Sequence, residues 1–127
     1  MYVLDSSALL AYLNEEPGGE EIEPLLDGAL ISTINLSEVL QKGVHQDIDP
    51  TELAATISRM GVDSVRFDAG MAARTAALWV TTRPYGLSLA DRACLTLASD
   101  LHATAVTTDR AWAKVDSIDA TIHLIAR

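Results

Sequence analysis

Met1-Tyr2-Val3-Leu4-Asp5-Ser6-Ser7-Ala8-Leu9-Leu10-Ala11-Tyr12-Leu13-Asn14 opens the chain. Its first four residues form a short apolar run suited to a buried strand, one acid ends that run, and Ser6 to Asn14 carry apolar side chains suited to a helix. The same order recurs downstream. Glu15-Glu16-Pro17-Gly18-Gly19 breaks the chain, a short acidic helix reaches about Leu26, and Ala29 to Thr33 reads as a second strand after the turn Asp27-Gly28. From Asn35 to about Gln46, Leu36, Val39, Leu40 and Val44 make one helical stripe, while Asn35, Glu38 and Lys42 fall together on another face. Pro50 starts a further helix to about Met60, Val62 to Phe67 is strand-like, and Asp68 to about Thr82 is helical. After the loop Arg83-Pro84-Tyr85-Gly86, a helix from Ser88 to Leu101 turns Ala90, Ala93, Cys94, Leu97, Ala98 and Leu101 inward. Thr104 to Thr108 and Thr121 to Ile125 are strands on either side of a short helix, Ala111 to Val115. Largely apolar strands alternating with helices predict an α/β fold, with a central parallel sheet of about five strands covered by helices on both faces.

The 127 residues, 49% of them hydrophobic, amount to a single domain, 1–127, with enough chain for an apolar core. Cys94 is the only cysteine, so no intrachain disulfide forms; in Ala93-Cys94-Leu95 it reads as a small buried hydrophobe, and a reducing, cytoplasmic location is expected. Met1 to Leu13 has no basic residue and is interrupted by Asp5, so neither a secretory signal nor a membrane span is expected. Eighteen Asp and Glu against nine Lys and Arg give a net charge of −9. The basic residues are scattered singly, which argues against a charge-driven grip on nucleic acid. A nucleic-acid substrate would require bound cations or a few placed arginines to offset the repulsion.

In an open parallel sheet, ligands sit beyond the carboxyl ends of the strands, near the point where the strand order reverses. Asp5 directly follows the first strand and Asp109 follows Val106-Thr107-Thr108. Glu38 falls in the first turn of the helix entered from the second strand, and Asp91 in the first turn of the helix that begins at Ser88. Each acid also has a purely structural reading. Asn35-Leu36-Ser37-Glu38 and Ser88-Leu89-Ala90-Asp91 have the spacing of capping boxes, and Asp5 and Asp109 could be N-caps. What separates the two readings is that all four belong to one edge of the sheet. Lys42 stands four residues after Glu38, a spacing that suits an ion pair, but one lysine cannot balance four acids. Two carboxylates ~4 Å apart repel by about 4 kcal/mol at an effective dielectric near ~20, so such a cluster takes up protons or binds a cation. Oxygen ligands without histidine or thiolate suit Mg²⁺ or Mn²⁺. His45, His102 and His123 are dispersed, and no G-x-G-x-x-G, P-loop or G-x-S-x-G motif is present.

Val3-Leu4-Asp5-Ser6-Ser7-Ala8, Asn35-Leu36-Ser37-Glu38-Val39, Gly86-Leu87-Ser88-Leu89-Ala90-Asp91-Arg92-Ala93-Cys94-Leu95 and Thr107-Thr108-Asp109-Arg110-Ala111-Trp112 together resemble the PIN-domain nucleases, most closely the VapC-type toxins of type II toxin–antitoxin systems. The resemblance runs essentially from end to end and implies a PIN-like three-layer fold. It also implies a Mg²⁺-dependent endoribonuclease, Mn²⁺ substituting, that cuts cellular RNA such as tRNA or rRNA to inhibit translation, leaving a 5′-phosphate and a 3′-hydroxyl. Asp5, Glu38, Asp91 and Asp109 match the family's metal-binding acids. Ser7 matches the small hydroxyl residue that supports the first acid, and Asn35 and Thr107 fall where residues bracing the ligands are expected. A homodimer and a cognate VapB-type antitoxin that covers the acidic groove are further implications. Two other readings stay open: a catalytically silent PIN-like interaction module, and a nuclease acting on DNA or structured nucleic acid. Arg83, Arg92 and Arg110 are candidates for RNA-backbone contacts or for surface salt bridges; Trp79 and Trp112 could stack on a base, with core or dimer packing the favoured reading.

Overall fold

Alternate residues of the central strands supply two cores, one on each face of the sheet. In the computed structural model, which describes residues 1–116 and 118–126, the elements are β1 (Tyr2–Leu4), α1 (Ser6–Leu13), α2 (Gly19–Ile22), β2 (Leu30–Ser32), α3 (Thr33–His45), α4 (Pro50–Arg59), β3 (Asp63–Val65), α5 (Ala69–Thr82), α6 (Leu89–Asp100), β4 (Thr104–Thr107) and β5 (Thr121–Leu124). The segments Glu23–Leu25, Arg83–Tyr85 and Arg110–Lys114 are 3₁₀ turns; the last takes the place of the expected helix from Ala111 to Val115. Leu4, Ile31 and Val106 pack with Ala8, Leu9, Val39 and Ile57 on one side, whereas Val3 and Ala105 pack with Cys94, Leu95, Ala98 and Trp112 on the other. Burial on both faces is why these strands read as apolar runs.

All five strands are parallel, in the order β3-β2-β1-β4-β5. The chain adds β2 and β3 to one side of β1 and then returns to add β4 and β5 to the other. The order therefore reverses between β1 and β4, and the crevice outside their carboxyl ends is the expected ligand position. Helices α5 and α6 run antiparallel: the buried hydroxyls of Thr75 and Thr96 pair at 2.7 Å, and Arg74 meets Asp100 at 2.6 Å on the surface. Among the described residues no helix is long and apolar enough to cross a membrane.

Helix α3 begins two residues earlier than its apolar stripe suggests, because Ser32 caps it by accepting the N–H of Ile34. Asn35 is thus the third residue of the helix, Asn35-Leu36-Ser37-Glu38 is not a capping box, and Glu38 sits in the second turn, not the first. Val44 does not continue the buried stripe and is 50% exposed. Its neighbour Gly43 is the buried position there, where an added Cβ would meet Leu53 of α4 at 2.7 Å. Leu101 is also exposed, since it lies one residue past the end of α6.

At the start of α2 the backbone passes so close to α1 that a Cβ on Gly19 would stand 2.5 Å from the Ala11 carbonyl oxygen. Gly70, exposed in the first turn of α5, would meet nothing nearer than the flexible Arg74 guanidinium at 3.3 Å. Gly19→Ala is therefore expected to destabilise by about 1–3 kcal/mol, whereas Gly70→Ala should be neutral or stabilise by up to about 1 kcal/mol. Urea midpoints measure both, and equal midpoints for the two variants would contradict this packing.

Candidate active site

Strand β1 ends on Asp5, whose N–H still donates to the Val106 carbonyl at 2.9 Å. Asp5 occupies the N-cap position of α1, but its side chain makes no capping bond. The carboxylate instead turns to neighbouring elements. Its Oδ2 accepts from Ser7 Oγ at 2.6 Å and from Thr107 Oγ1 at 2.9 Å, and its Oδ1 lies 3.4 Å from the amide nitrogen of Asn35. Those two hydroxyls are held in turn by the backbone: Ser7 Oγ accepts the N–H of Thr108 at 3.1 Å, and Thr107 Oγ1 accepts that of Asp109 at 3.0 Å. One buried carboxylate thereby ties the start of α1 to the end of β4 and to the turn that carries Asp109.

Asn35, fully buried, extends this network across the sheet edge. Its amide nitrogen also donates to the Ala90 carbonyl at 3.1 Å and to Ser6 Oγ at 3.3 Å, so α3 and α6 meet beside Asp5. Ser6 was not singled out by the sequence reading, yet its hydroxyl bonds the Glu38 carboxylate at Oε1 and the Asn35 carbonyl. Its position next to Asp5, in the first turn of α1, is the signal that could have marked it. Glu38 makes this bond to Ser6, and no ion pair to Lys42 forms. The ion pairs among the described residues are Arg74 with Asp100 and His102 with Asp119.

The other two acids take part in caps, Asp91 as the third residue of α6 and Asp109 at the start of the 3₁₀ turn. Asp91 and Ser88 form a reciprocal capping box, Asp91 Oδ2 accepting the Ser88 N–H at 2.9 Å. Asp109 Oδ1 accepts the Ala111 N–H at 2.9 Å. In each case the cap uses one carboxylate oxygen.

Asp5, Glu38, Asp91 and Asp109 line a single cavity of about 420 Å³, together with Ser6, Ser7, Glu16 and Lys42. They share its wall without closing on one point: among the described residues, no three of His, Cys, Asp and Glu are gathered tightly enough to hold an ion as they lie. Their charges nevertheless act on one another. Burial pushes the Asp5 carboxyl up to about 6 and the Asp91 charge adds to this, against the opposing hydrogen bonds from Ser7 and Thr107. Asp91, half-buried, is raised first by burial and then by Asp109 and Glu38. Burial also pushes up the Cys94 thiol, which fits its expected role as an inert core residue. With only oxygen donors among its acids, the cavity suits a hard divalent cation.

The candidate cations and aromatics have separate fates. Arg92 turns inward, donating to the Thr75 carbonyl at 2.8 Å, and Arg83 stacks 5.1 Å from the centre of the Trp79 ring. Arg110 lines a second cavity that adjoins the acids. Trp112 is fully buried, as core packing requires, whereas Trp79 is 49% exposed and so contributes little to the core of this chain.

A parallel sheet in this order, with acids from four separated segments around the switch-point crevice, defines a layered α/β domain with an acidic site at its switch point. The chain belongs to the PIN-domain family, which it matches over residues 2–118. Its fold recurs in solved toxin–antitoxin structures. A chain of a toxin–antitoxin complex from Klebsiella pneumoniae is 18% identical, with a TM-score of 0.73 over 91% of this chain and 92% of that one. A chain of DNA-bound VapBC from Salmonella typhimurium is 18% identical, with a TM-score of 0.68 over 96% of both chains. One from FitAcB of Neisseria gonorrhoeae is 19% identical, with a TM-score of 0.66 over 96% of both. No curated protein matches the sequence.

The raised Asp5 pKa fixes the sign of a pH effect. Because the folded value exceeds the unfolded one, the folded protein binds more protons between the two, and stability falls as pH rises from about 3.8 to about 6. Relative to Asp5→Asn, the wild type should lose about 2 kcal/mol of unfolding free energy across that window in metal-free buffer. Denaturant titrations of both proteins at pH 4 and 7 measure the difference; a gap that does not change with pH would show the carboxylate to be unstrained.

Proposed function

We propose that this protein is a single-domain, metal-dependent endoribonuclease of the VapC toxin type, cutting cellular RNA and held in check by an antitoxin. The observation that carries the reading is the convergence of Asp5, Glu38, Asp91 and Asp109, each from a different segment, on one cavity at the carboxyl edge of the sheet. A structural cap needs neither a shared cavity nor a carboxylate held above its ordinary pKa by burial and by another acid.

Asp5, Asp91 and Asp109 would hold Mg²⁺ or Mn²⁺, with Glu38 completing the set. The ion, when bound, supplies Lewis-acid stabilisation of the phosphoryl oxygens and lowers the pKa of a water. The chain's own residues do the rest. Ser7 and Thr107 fix the rotamer of Asp5 and keep its charge partly compensated before the ion arrives. Asn35 donates to the other oxygen of Asp5, and Ser6 orients Glu38. Glu38 is exposed, on the cavity wall, and suited to accept a proton from the attacking water. In-line attack forms one O–P bond and breaks the bond from phosphorus to the 3′ oxygen, which departs with a proton; a 5′-phosphate and a 3′-hydroxyl result.

The relatives' printed descriptions as toxin–antitoxin complexes support an antitoxin as partner. So does a neighbouring groove, lined by Tyr12, Glu15, Glu16, Glu20 and Glu23, which meets the acid cavity at Glu16 and suits a basic segment with apolar side chains. A homodimer and a cytoplasmic setting belong to the same proposal. One observation favours a silent interaction module: Asp91 and Asp109 already have structural employment as caps.

Digestion of total RNA and of single-stranded DNA with Mn²⁺, with and without EDTA, separates the possibilities. EDTA-sensitive cleavage of RNA is expected, abolished by Asp5→Asn and Asp91→Asn in proteins that keep their circular dichroism spectrum. The wild type should also gain thermal stability with millimolar Mn²⁺, as a ligand of the folded form alone requires, and Asp5→Asn should not. Absence of both cleavage and thermal shift would leave the silent module.

A further inference from the structure

The acid cavity and a second cavity, of about 470 Å³, share Ser7 and Asp109. Lys42 lies on the wall of the first, and Arg110, with Thr108, on the wall of the second. The sheet order sets these two cations on opposite sides of Asp5: Lys42 belongs to α3, which follows β2, and Arg110 follows β4, while Asp5 ends the strand between them. Both side chains are exposed, and neither takes part in the ion pairs of the described residues. Other arginines are engaged elsewhere: Arg74 with Asp100, Arg83 over Trp79, Arg92 with the Thr75 carbonyl and Arg59 with Thr56.

A polyanion laid across five carboxylates is repelled on approach, even where a divalent ion neutralises part of that charge. Phosphates on either side of the cut need their own counter-charges, and phosphate contacts position a strand without reading its bases. We propose that Lys42 and Arg110 are the two phosphate anchors of a single-stranded RNA substrate, one on each flank of the scissile phosphodiester. They are positioning residues. They hold the backbone so that the reacting phosphorus lies over Asp5, Asp91 and Asp109, and they take no part in bond making. This inference rests on the nuclease reading above.

The test uses a fluorescent oligouridine strand and the Asp91→Asn protein, which should bind without cutting, with anisotropy read between about 50 and 200 mM salt. Adding Lys42→Gln or Arg110→Gln should each weaken binding about fivefold and reduce the slope of log affinity against log salt by about 0.7, the contribution of one phosphate contact on a single strand. Arg110→Lys should retain the slope. Arg59→Gln, at the far end of the sheet where β3 begins, should match the parent. Unchanged affinity and slope for both Lys42→Gln and Arg110→Gln, in a protein whose wild type cleaves RNA, overturns the anchors and leaves the nuclease reading standing. A wild type that neither binds nor cleaves the strand overturns both.

Discussion

Asp5 loses nearly all its water where β1 ends, and a carboxylate is tolerable there because two hydroxyls and an amide replace that water. The replacements come from different elements. Ser7 is on α1, Thr107 on β4 and Asn35 on α3, so satisfying this one group requires all three to arrive in register. The dependence runs the other way as well. The hydroxyl oxygens of Ser7 and Thr107 accept backbone N–H groups of the turn after β4, so that turn, which carries Asp109, is shaped by residues chosen to accommodate Asp5. A network in which each member is another member's partner holds the switch-point crevice open in one geometry.

The hydrogen bonds do not make the charge comfortable. Asp5 remains above its ordinary pKa, with burial the largest cause and Asp91 adding to it. A site selected only for stability would replace the acid with asparagine, or let it cap α1 as its position allows. That the charge persists against burial is the kind of local inconsistency expected where function competes with stability. Capping and catalysis do not exclude each other at Asp91 and Asp109. The capping bonds occupy Oδ2 of one and Oδ1 of the other, fixing one side chain at the start of α6 and the other at the start of the 3₁₀ turn. Under the proposed function, the cap would also aim the acid.

The sheet and helices were legible because burial on both faces leaves a period and a composition in the chain: Val3 and Leu4, or Ala105 and Val106, have to be apolar whichever core they enter. The grouping of Asp5, Glu38, Asp91 and Asp109 followed from topology alone, since right-handed crossovers return every strand's carboxyl end to one edge. Finer features were not legible. Ser32 and Asn35 are both ordinary N-cap residues, and only the backbone of β2 decides that Ser32 takes that place and Asn35 goes inward to Asp5. Residue spacing suited an ion pair between Lys42 and Glu38, but it could not register Ser6, brought to Glu38 from 32 residues away in sequence. Periodicity records which face of a helix is covered; it carries no information about which polar group on another element lies opposite.

The distribution of positive charge follows a similar logic. Nine basic residues against eighteen acids cannot form a binding surface by number, so their placement has to matter. Arg74, Arg83 and Arg92 all serve the α5–α6 pair or the turn that joins it, by an ion pair, a ring contact and a backbone bond. Among the described residues that line the acid cavity and its neighbour, the cations are Lys42 and Arg110, one on each side of Asp5. An acidic chain with so sparse a complement would hold free RNA weakly and a basic polypeptide more readily, because five carboxylates repel the first and attract the second. Under the proposed function, the same charge pattern that disfavours free RNA would favour a basic inhibitor, and a divalent ion held by these acids would offset part of that repulsion where the strand passes.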